Sequence, residues 1–271
     1  MELNSFIFPA PSPSYTVISF PGELLKIPRL KGKRQGVPCI FLPFSRGSSK
    51  ILLYFHGNAE DLGLAYEMLN HTRNTLMVHV LALEYPGYGI YKGKPSASRI
   101  LEDSENVFNY LTDVLKISPT NIFIFGRSIG AGPAVWLGAE KNPGALLLMS
   151  AYTSIRAVAK NIAGSLLMYF VKERFRNIDL MPKVKCPCFL VHGQNDTLIP
   201  YQHSQILHEL CGGPSNLLLP SKMDHNGFDF FEDLTLPFTA FLIHCGISTV
   251  PDNLQSAFIS FPEELFYSKR S

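Results

Sequence analysis

Gly126-Arg127-Ser128-Ile129-Gly130 is the stretch on which the reading of this chain turns. It follows an apolar run, Ile122-Phe123-Ile124-Phe125, and leads into Ala131-Gly132-Pro133-Ala134-Val135-Trp136-Leu137. A serine between glycines at this spacing suits a sharp strand-to-helix turn. Such a turn strains the serine backbone and pushes its hydroxyl into the open, while the glycines let neighbouring strands approach. The pattern alone is short enough to arise by chance. The strand before it and the helix after it give it its meaning.

Working outward, strand and helix patterns alternate. Ile51-Leu52-Leu53-Tyr54-Phe55 is a continuous apolar run, as expected of a strand covered on both faces. A helix is predicted from about Asp61 to His71, a strand over Val78–Leu83, and a longer helix from Ser98 to Lys116. Strands follow at Asn121–Phe125, Ala145–Met149, Phe189–Val191 and Leu217–Leu219, with helices after Ser128, near Tyr201–Leu210 and from about Phe228. Before all of these, a stiff Pro-Ala-Pro-Ser-Pro lead-in at 9–13 precedes two early strands, Tyr15–Phe20 and Val37–Leu42. A basic turn, Lys31-Gly32-Lys33-Arg34, separates them. This alternation predicts an α/β fold: a mostly parallel central sheet with helices on both faces. The chain reads as a single domain over residues 1–271. Its rhythm is interrupted by a small helical cap insertion at about 152–182, and it ends in a loosely attached tail at about 247–271.

Composition narrows the classes of function. At 271 residues the chain can bury a sizeable core. A net charge of +2 is too small to imply nucleic acid as a partner. No apolar run reaches the roughly 18–20 residues that span a bilayer. The start, Met1-Glu2-Leu3-Asn4-Ser5, lacks the basic and apolar features of a secretory signal, so a cytoplasmic protein that is not secreted is expected. The five cysteines, Cys39, Cys186, Cys188, Cys211 and Cys245, are odd in number and scattered. They read as buried reduced thiols, not as a disulfide framework or a metal site. Neither a metal nor an organic cofactor is expected.

A serine hydroxyl is a weak nucleophile at neutral pH. It needs an imidazole to take its proton and a carboxylate to hold the imidazole's tautomer. In an open α/β sheet these groups come from loops at the carboxyl ends of strands. In the order Ser, Asp, His, the candidates are Ser128, Asp196 and His225. Asp196 sits about five residues past a strand, in His192-Gly193-Gln194-Asn195-Asp196. His225 lies after the last strand, in Met223-Asp224-His225-Asn226-Gly227. Asp224 adjoins His225 but adjacent side chains diverge, and Asp179 stands at the wrong end of its strand. His192 reads as packed beneath its loop. His71, His79, His203, His208 and His244 fall in helix or strand bodies and read as structural or solvated. The developing oxyanion needs two donors. The backbone N–H of Ile129, at a helix start, is one candidate. The N–H of Asn58, in His56-Gly57-Asn58-Ala59, is the other, with His56 bracing the loop.

These residues together resemble the α/β-hydrolase superfamily. Leu53-Tyr54-Phe55-His56-Gly57-Asn58-Ala59-Glu60-Asp61-Leu62-Gly63 is similar to the oxyanion loop of one cytosolic branch. So are Glu84-Tyr85-Pro86-Gly87-Tyr88-Gly89 with Gly93-Lys94-Pro95-Ser96, and Ile117-Ser118-Pro119-Thr120-Asn121-Ile122. The branch is the seventeenth α/β-hydrolase-domain subfamily, and the resemblance runs from about Pro9 to the last helix. It implies the α/β-hydrolase fold and a palmitoyl-protein thioesterase, a depalmitoylase acting on an S-acylated protein. The chain departs from that branch in two places. The animal members carry an acylated N-terminal cysteine cluster, whereas no cysteine here precedes Cys39. Arg127 stands where glutamine is usual.

The cap insertion bears on the acyl-chain substrate. Ile155, Val158, Ala159, Ile162 and Leu166 fall at helical spacing on one face. Arg156, Lys160, Lys172, Arg174 and Arg176 add positive charge opposed nearby by Glu173. Two readings are open: the stripe packs on the core, or it makes peripheral contact with an anionic membrane and passes an acyl chain inward. The leading function is a serine hydrolase that cleaves acyl esters or thioesters through an acyl-enzyme. A serine aminopeptidase-like or small-ester hydrolase is the related alternative. A catalytically silent binding protein that keeps the fold is the alternative of another class. Oligomeric state is not legible.

Overall fold

In the computed structural model, residues 8–32, 34–167, 172–250 and 259–268 are described, the side chains of 162–167 excepted. Met1–Ser5, Lys33 and the side chains of Ile162 and Leu166 therefore lie outside the described residues. The chain forms two compact units, one from Met1–Ile122 with Thr249–Ser271, the other from Phe123–Ser248.

The first unit is built on four strands: β1 (Leu24–Ile27), β2 (Val37–Leu42), β3 (Ile51–Phe55) and β4 (His79–Leu83). β1 pairs antiparallel with β2 and β2 antiparallel with β4, while β3 and β4 run parallel. β2, β3 and β4 are buried at every position, which explains why their sequences, His79 apart, are apolar runs and not alternating ones. Helix α1 (Leu62–Leu76) begins at Asp61, whose carboxylate accepts the Leu64 N–H as an N-cap. It buries Leu62, Ala65, Met68, Leu69 and Leu76, the apolar positions recurring every three to four residues. Helix α2 (Ala97–Asn109) is capped by Ser96 and widens into a π-helical turn at Tyr110–Val114. The long helix predicted to Lys116 is thus two segments.

Two expectations for this unit are corrected. Tyr15–Phe20 is not a strand. Thr16 N–H bonds the Ser19 hydroxyl and Ser19 N–H bonds the Thr16 carbonyl, closing a local turn that competes with any ladder. Its β-branched residues face solvent, Ile18 being 75% exposed, while Tyr15 turns inward. The first strand is Leu24–Ile27 instead. Nor are residues 259–268 loosely attached. Phe266 bridges Leu25, Tyr267 N–H bonds the Leu24 carbonyl, and the Phe261 ring is buried against Phe41 and Tyr110. An aromatic-rich segment can dock where β1 leaves a free edge, and composition alone did not show that the edge was open.

The second unit carries β5 (Ile122–Arg127), β6 (Ala145–Met149), β7 (Cys188–Val191) and β8 (Ser215–Leu218). Each pairs parallel with the next. The register aligns Arg127 with Met149, Met149 with Val191, and Val191 with Leu218. The residues just past these ends, Ser128 and His192 among them, therefore emerge at one edge. A short turn, Ser128–Gly130, feeds helix α3 (Ala131–Lys141). The cap insertion contains α4 (Ile155–Leu167) and a one-turn helix at Asn177–Leu180. α5 (Gln202–Leu210) precedes β8. Asp229 then caps a π-helical turn, Phe230–Thr235, that runs into α6 (Leu236–His244). Phe238 of α6 packs its ring against Phe123 and Phe189, seating the last helix on the strands.

Among the described residues no helix is long and apolar enough to cross a membrane. All five cysteines are free; Cys39, Cys186 and Cys188 are buried, whereas Cys211 and Cys245 are only partly so.

Candidate active site

Ser128 has a backbone φ of +52°, in the left-handed region that a residue with a Cβ enters only at a cost of order 1 kcal/mol. The strain is what a sharp turn from β5 into α3 requires. Gly126 makes the turn sterically feasible: a Cβ there would lie 2.5 Å from the Gly130 carbonyl oxygen and 2.6 Å from the Ala134 Cβ. Ile129 stands in the first turn leading to α3, where helical N–H groups have no carbonyl partner within the helix.

Two loops converge on this turn. Gly193 lets them meet, since a Cβ at that position would lie 2.1 Å from the Met223 carbonyl oxygen. Asn195 N–H bonds the same oxygen at 3.1 Å. The result brings Asp196 and His225 together. The Ser128 Oγ lies 3.1 Å from His225 Nε2, and His225 Nδ1 lies 2.7 Å from Asp196 Oδ2. Nδ1–H donates to the carboxylate, which leaves the Nε2 lone pair to accept from the serine hydroxyl. Burial would raise the pKa of Asp196. Hydrogen bonds from His192 and His225, the charge of His225 and the Ile199 N–H outweigh it and hold the carboxyl well below the ordinary value. The carboxylate therefore stays ionised while it supports the imidazole.

Asp196 is itself held from several sides. Its Oδ1 accepts the N–H groups of Leu198 and Ile199 at 3.0 and 2.8 Å. The wholly buried His192 places Nε2 at 3.2 Å from Oδ2 and 2.7 Å from the Ile199 carbonyl, and its Nδ1 lies 2.7 Å from the Ser204 hydroxyl. His192 is thus packed beneath the loop, but it also supports Asp196. The spacing of four residues between them was the one signal available in the sequence. Asp224 does not approach the imidazole by any bond; its carboxylate accepts Asn226 and Gly227 N–H and shapes the turn. Those two bonds hold its pKa below the ordinary carboxylate value. His203 is engaged elsewhere, with Thr153 and Asn161.

Asn58 belongs to the first unit. Its Oδ1 accepts the Tyr88 hydroxyl at 2.8 Å. The loop is pinned by a buried pair: His56 Nε2 lies 2.9 Å from Glu84 Oε1. This meeting follows from register, since Phe55 and Leu83 are partners and His56 and Glu84 each come immediately after the end of a strand. Glu84 also accepts the Tyr15 hydroxyl at 2.8 Å, and Tyr85 stacks on the His56 ring. Desolvation works to lower the pKa of His56, yet the hydrogen bond and charge of Glu84 raise it overall. His56 was read as a brace; its partner Glu84 was missed, although register carried the signal.

The cap segment packs close by. The Tyr152 hydroxyl donates to the Ile129 carbonyl at 3.1 Å, and Asn177 Nδ2 donates to the Tyr152 carbonyl. On the basic stripe, Ile155 is buried, Val158 and Ala159 are half-buried, and Arg156 and Arg176 both lie within 4 Å of Glu173. Among the described residues no group of three or more His, Cys, Asp or Glu is placed to hold a metal ion.

No family model matches the chain. It is 31% identical over 201 residues to human alpha/beta hydrolase domain-containing protein 17B, covering 74% of this chain and 68% of that protein. To alpha/beta hydrolase domain-containing protein 17C of Xenopus laevis it is 29% identical over 206 residues, covering 76% of this chain and 65% of that protein. The chain thus spans about two thirds of the length of these curated relatives. Among solved structures, an esterase of Pyrococcus furiosus matches with a TM-score of 0.65 at 19% identity, covering 87% of this chain and 98% of that one. An alpha-beta hydrolase from Vibrio vulnificus matches with a TM-score of 0.62 at 21% identity, covering 83% and 82%. Est1E from Butyrivibrio proteoclasticus matches with a TM-score of 0.64 at 16% identity, covering 82% and 98%. These likenesses show the α/β-hydrolase fold.

Proposed function

Because this chain belongs to the alpha/beta hydrolase domain-containing 17 family, we propose that it is a serine hydrolase cleaving acyl esters or thioesters, with an S-acylated protein as the preferred substrate. One observation carries the chemistry: the unbroken relay from the Ser128 hydroxyl through His225 to Asp196, at 3.1 and 2.7 Å. In the proposed reaction His225 Nε2 takes the Ser128 proton as Oγ attacks the acyl carbonyl. The tetrahedral oxyanion is met by the backbone N–H of Ile129. The imidazolium then protonates the leaving thiolate or alkoxide. Water enters, gives its proton to His225, and releases the acid from the acyl-enzyme.

The thioester reading draws on family membership and on a cap segment in which Ile155 is buried and Val158 and Ala159 are half-buried. Arg156 and Arg176 are engaged by Glu173, which leaves Lys160, Lys172 and Arg174 as the cap's candidates for touching an anionic membrane. Hydrolysis of a palmitoyl-peptide thioester, compared with an acetyl thioester and an aminoacyl amide, tests the substrate class. Higher kcat/KM for the long-chain thioester supports the proposal. Preference for the acetyl thioester or the amide would replace it with a small-ester or aminopeptidase-like hydrolase.

A further inference from the structure

Resting on the hydrolase reading above, we propose that Arg127 is a positioning residue that sets the approach of the His225 imidazole to Ser128. Arg127 ends β5 and is joined by its own peptide bond to Ser128. Its side chain is nearly buried and runs to the loop that bears the base. Nη2 donates to the main-chain carbonyl of His225 at 3.1 Å and to Asn226 Oδ1 at 2.9 Å. The guanidinium lies 5.8 Å from the centroid of the Phe228 ring, within cation–π range. One side chain thus engages three of the four residues from 225 to 228.

The other restraints on this loop act on its turn and its stem. Asp224 holds the amides of Asn226 and Gly227, and Asn195 holds Met223. Arg127 instead ties the main chain of His225 itself to the strand that carries the nucleophile. A ring is closed: Ser128 backbone, Arg127 side chain, His225 carbonyl, His225 imidazole, Ser128 Oγ. The gap between Nε2 and Oγ is the segment of that ring where proton transfer occurs. Charge-assisted bonds from a partly desolvated guanidinium are stiff, and misplacing a reacting group by about 1 Å can cost on the order of 10² in rate. Lysine reaches less far and lacks the planar group that lies against Phe228.

The experiment compares wild type, Arg127→Ala and Arg127→Met with p-nitrophenyl butyrate. Rates are expressed per serine titrated to completion with a fluorophosphonate, so misfolded protein does not count. The expected result is a kcat lower by roughly 10–100-fold with KM changed by less than about twofold. Millimolar methylguanidinium should partly restore the Arg127→Ala rate, and sodium at equal ionic strength should not. A role confined to stability would lower soluble yield and Tm while leaving kcat per titrated site at the wild-type value, and that result would overturn the proposal. Should both Arg127 variants fail to fold, Asn226→Ala removes one acceptor alone. A several-fold loss of kcat upholds the clamp, and an unchanged kcat overturns it. Wild type inert to both ester and fluorophosphonate would overturn the hydrolase reading and this inference together. Active wild type with an equally active Arg127→Met would overturn this inference only.

Discussion

Two of the histidine–carboxylate pairs among the described residues are of nearly the same length, and they do different work. His225 meets Asp196 at 2.7 Å, and His56 meets Glu84 at 2.9 Å. The difference lies at the other ring nitrogen. In His225 it faces the Ser128 hydroxyl, a group that can donate. In His56 it lies 2.8 Å from the Gly57 carbonyl, a group that can only accept. Acceptors beside both nitrogens favour a proton on each and leave no lone pair aimed at a donor. A ring with one acceptor and one hydroxyl keeps a lone pair ready for a proton. Exposure follows the same division, with the His225 side chain 12% accessible and that of His56 wholly enclosed. In these two pairs the group facing the second nitrogen and the exposure of the ring together separate a structural rivet from part of a base; His192, which joins Asp196 to the Ser204 hydroxyl, is wholly buried and stays structural.

This contrast can be broken by mutation. The largest expected effect is from Ser128→Ala, which removes the hydroxyl and should lower kcat by as much as ~10⁶. Asp196→Asn should cost up to ~10⁴ in kcat with the fold intact, because the amide imposes the wrong tautomer. Retained activity in either variant would mean that the relay is not the reacting group. Glu84→Gln should act on stability instead. Leaving a buried imidazolium without its counter-ion costs about 3 kcal/mol, visible as a lowered Tm in calorimetry. The pKa of His56 is raised on folding, so the pair's stabilisation is complete below the unfolded imidazole value and fades as pH rises through the folded one. The loss from Glu84→Gln should then be larger near about pH 5.5 than near about pH 9. An equal loss at both would show that His56 is neutral in the folded protein. The smallest effect is expected from Asp224→Asn, where an amide oxygen still accepts the turn's N–H groups: kcat within about threefold of wild type. A greater loss there than in Asp196→Asn would transfer the supporting role to Asp224.

Much of this arrangement was legible because strand ends impose order. Ser128 announces itself through flanking glycines, and Gly126 is tight against Gly130 and Ala134 for the reason the motif requires. Asp196 and His225 could be selected by chain order, since each follows a parallel strand at the same edge. What stayed hidden depended on groups distant in sequence. Arg127 and His225 stand 98 residues apart, and no local pattern pairs a guanidinium with a particular backbone carbonyl. The partnership of His56 with Glu84 required the β3–β4 register, not merely the existence of both strands. Tyr15–Phe20 misled because aromatic and β-branched residues suit a strand, whereas the hydroxyls of Thr16 and Ser19 close a turn first. The segment at 259–268 misled in the opposite sense: its aromatic anchors, Phe261, Phe266 and Tyr267, dock on an edge of β1 that the sequence did not show to be open.

The central assertion is that the second nitrogen of His225 activates Ser128. Fluorophosphonate labelling followed by peptide mass spectrometry tests it most directly. Wild type should carry one adduct, on Ser128, and His225→Ala should label at least a thousandfold more slowly, on the order expected for loss of a triad base. An adduct on another residue, or equal labelling of Ser128 in the two proteins, would contradict the account.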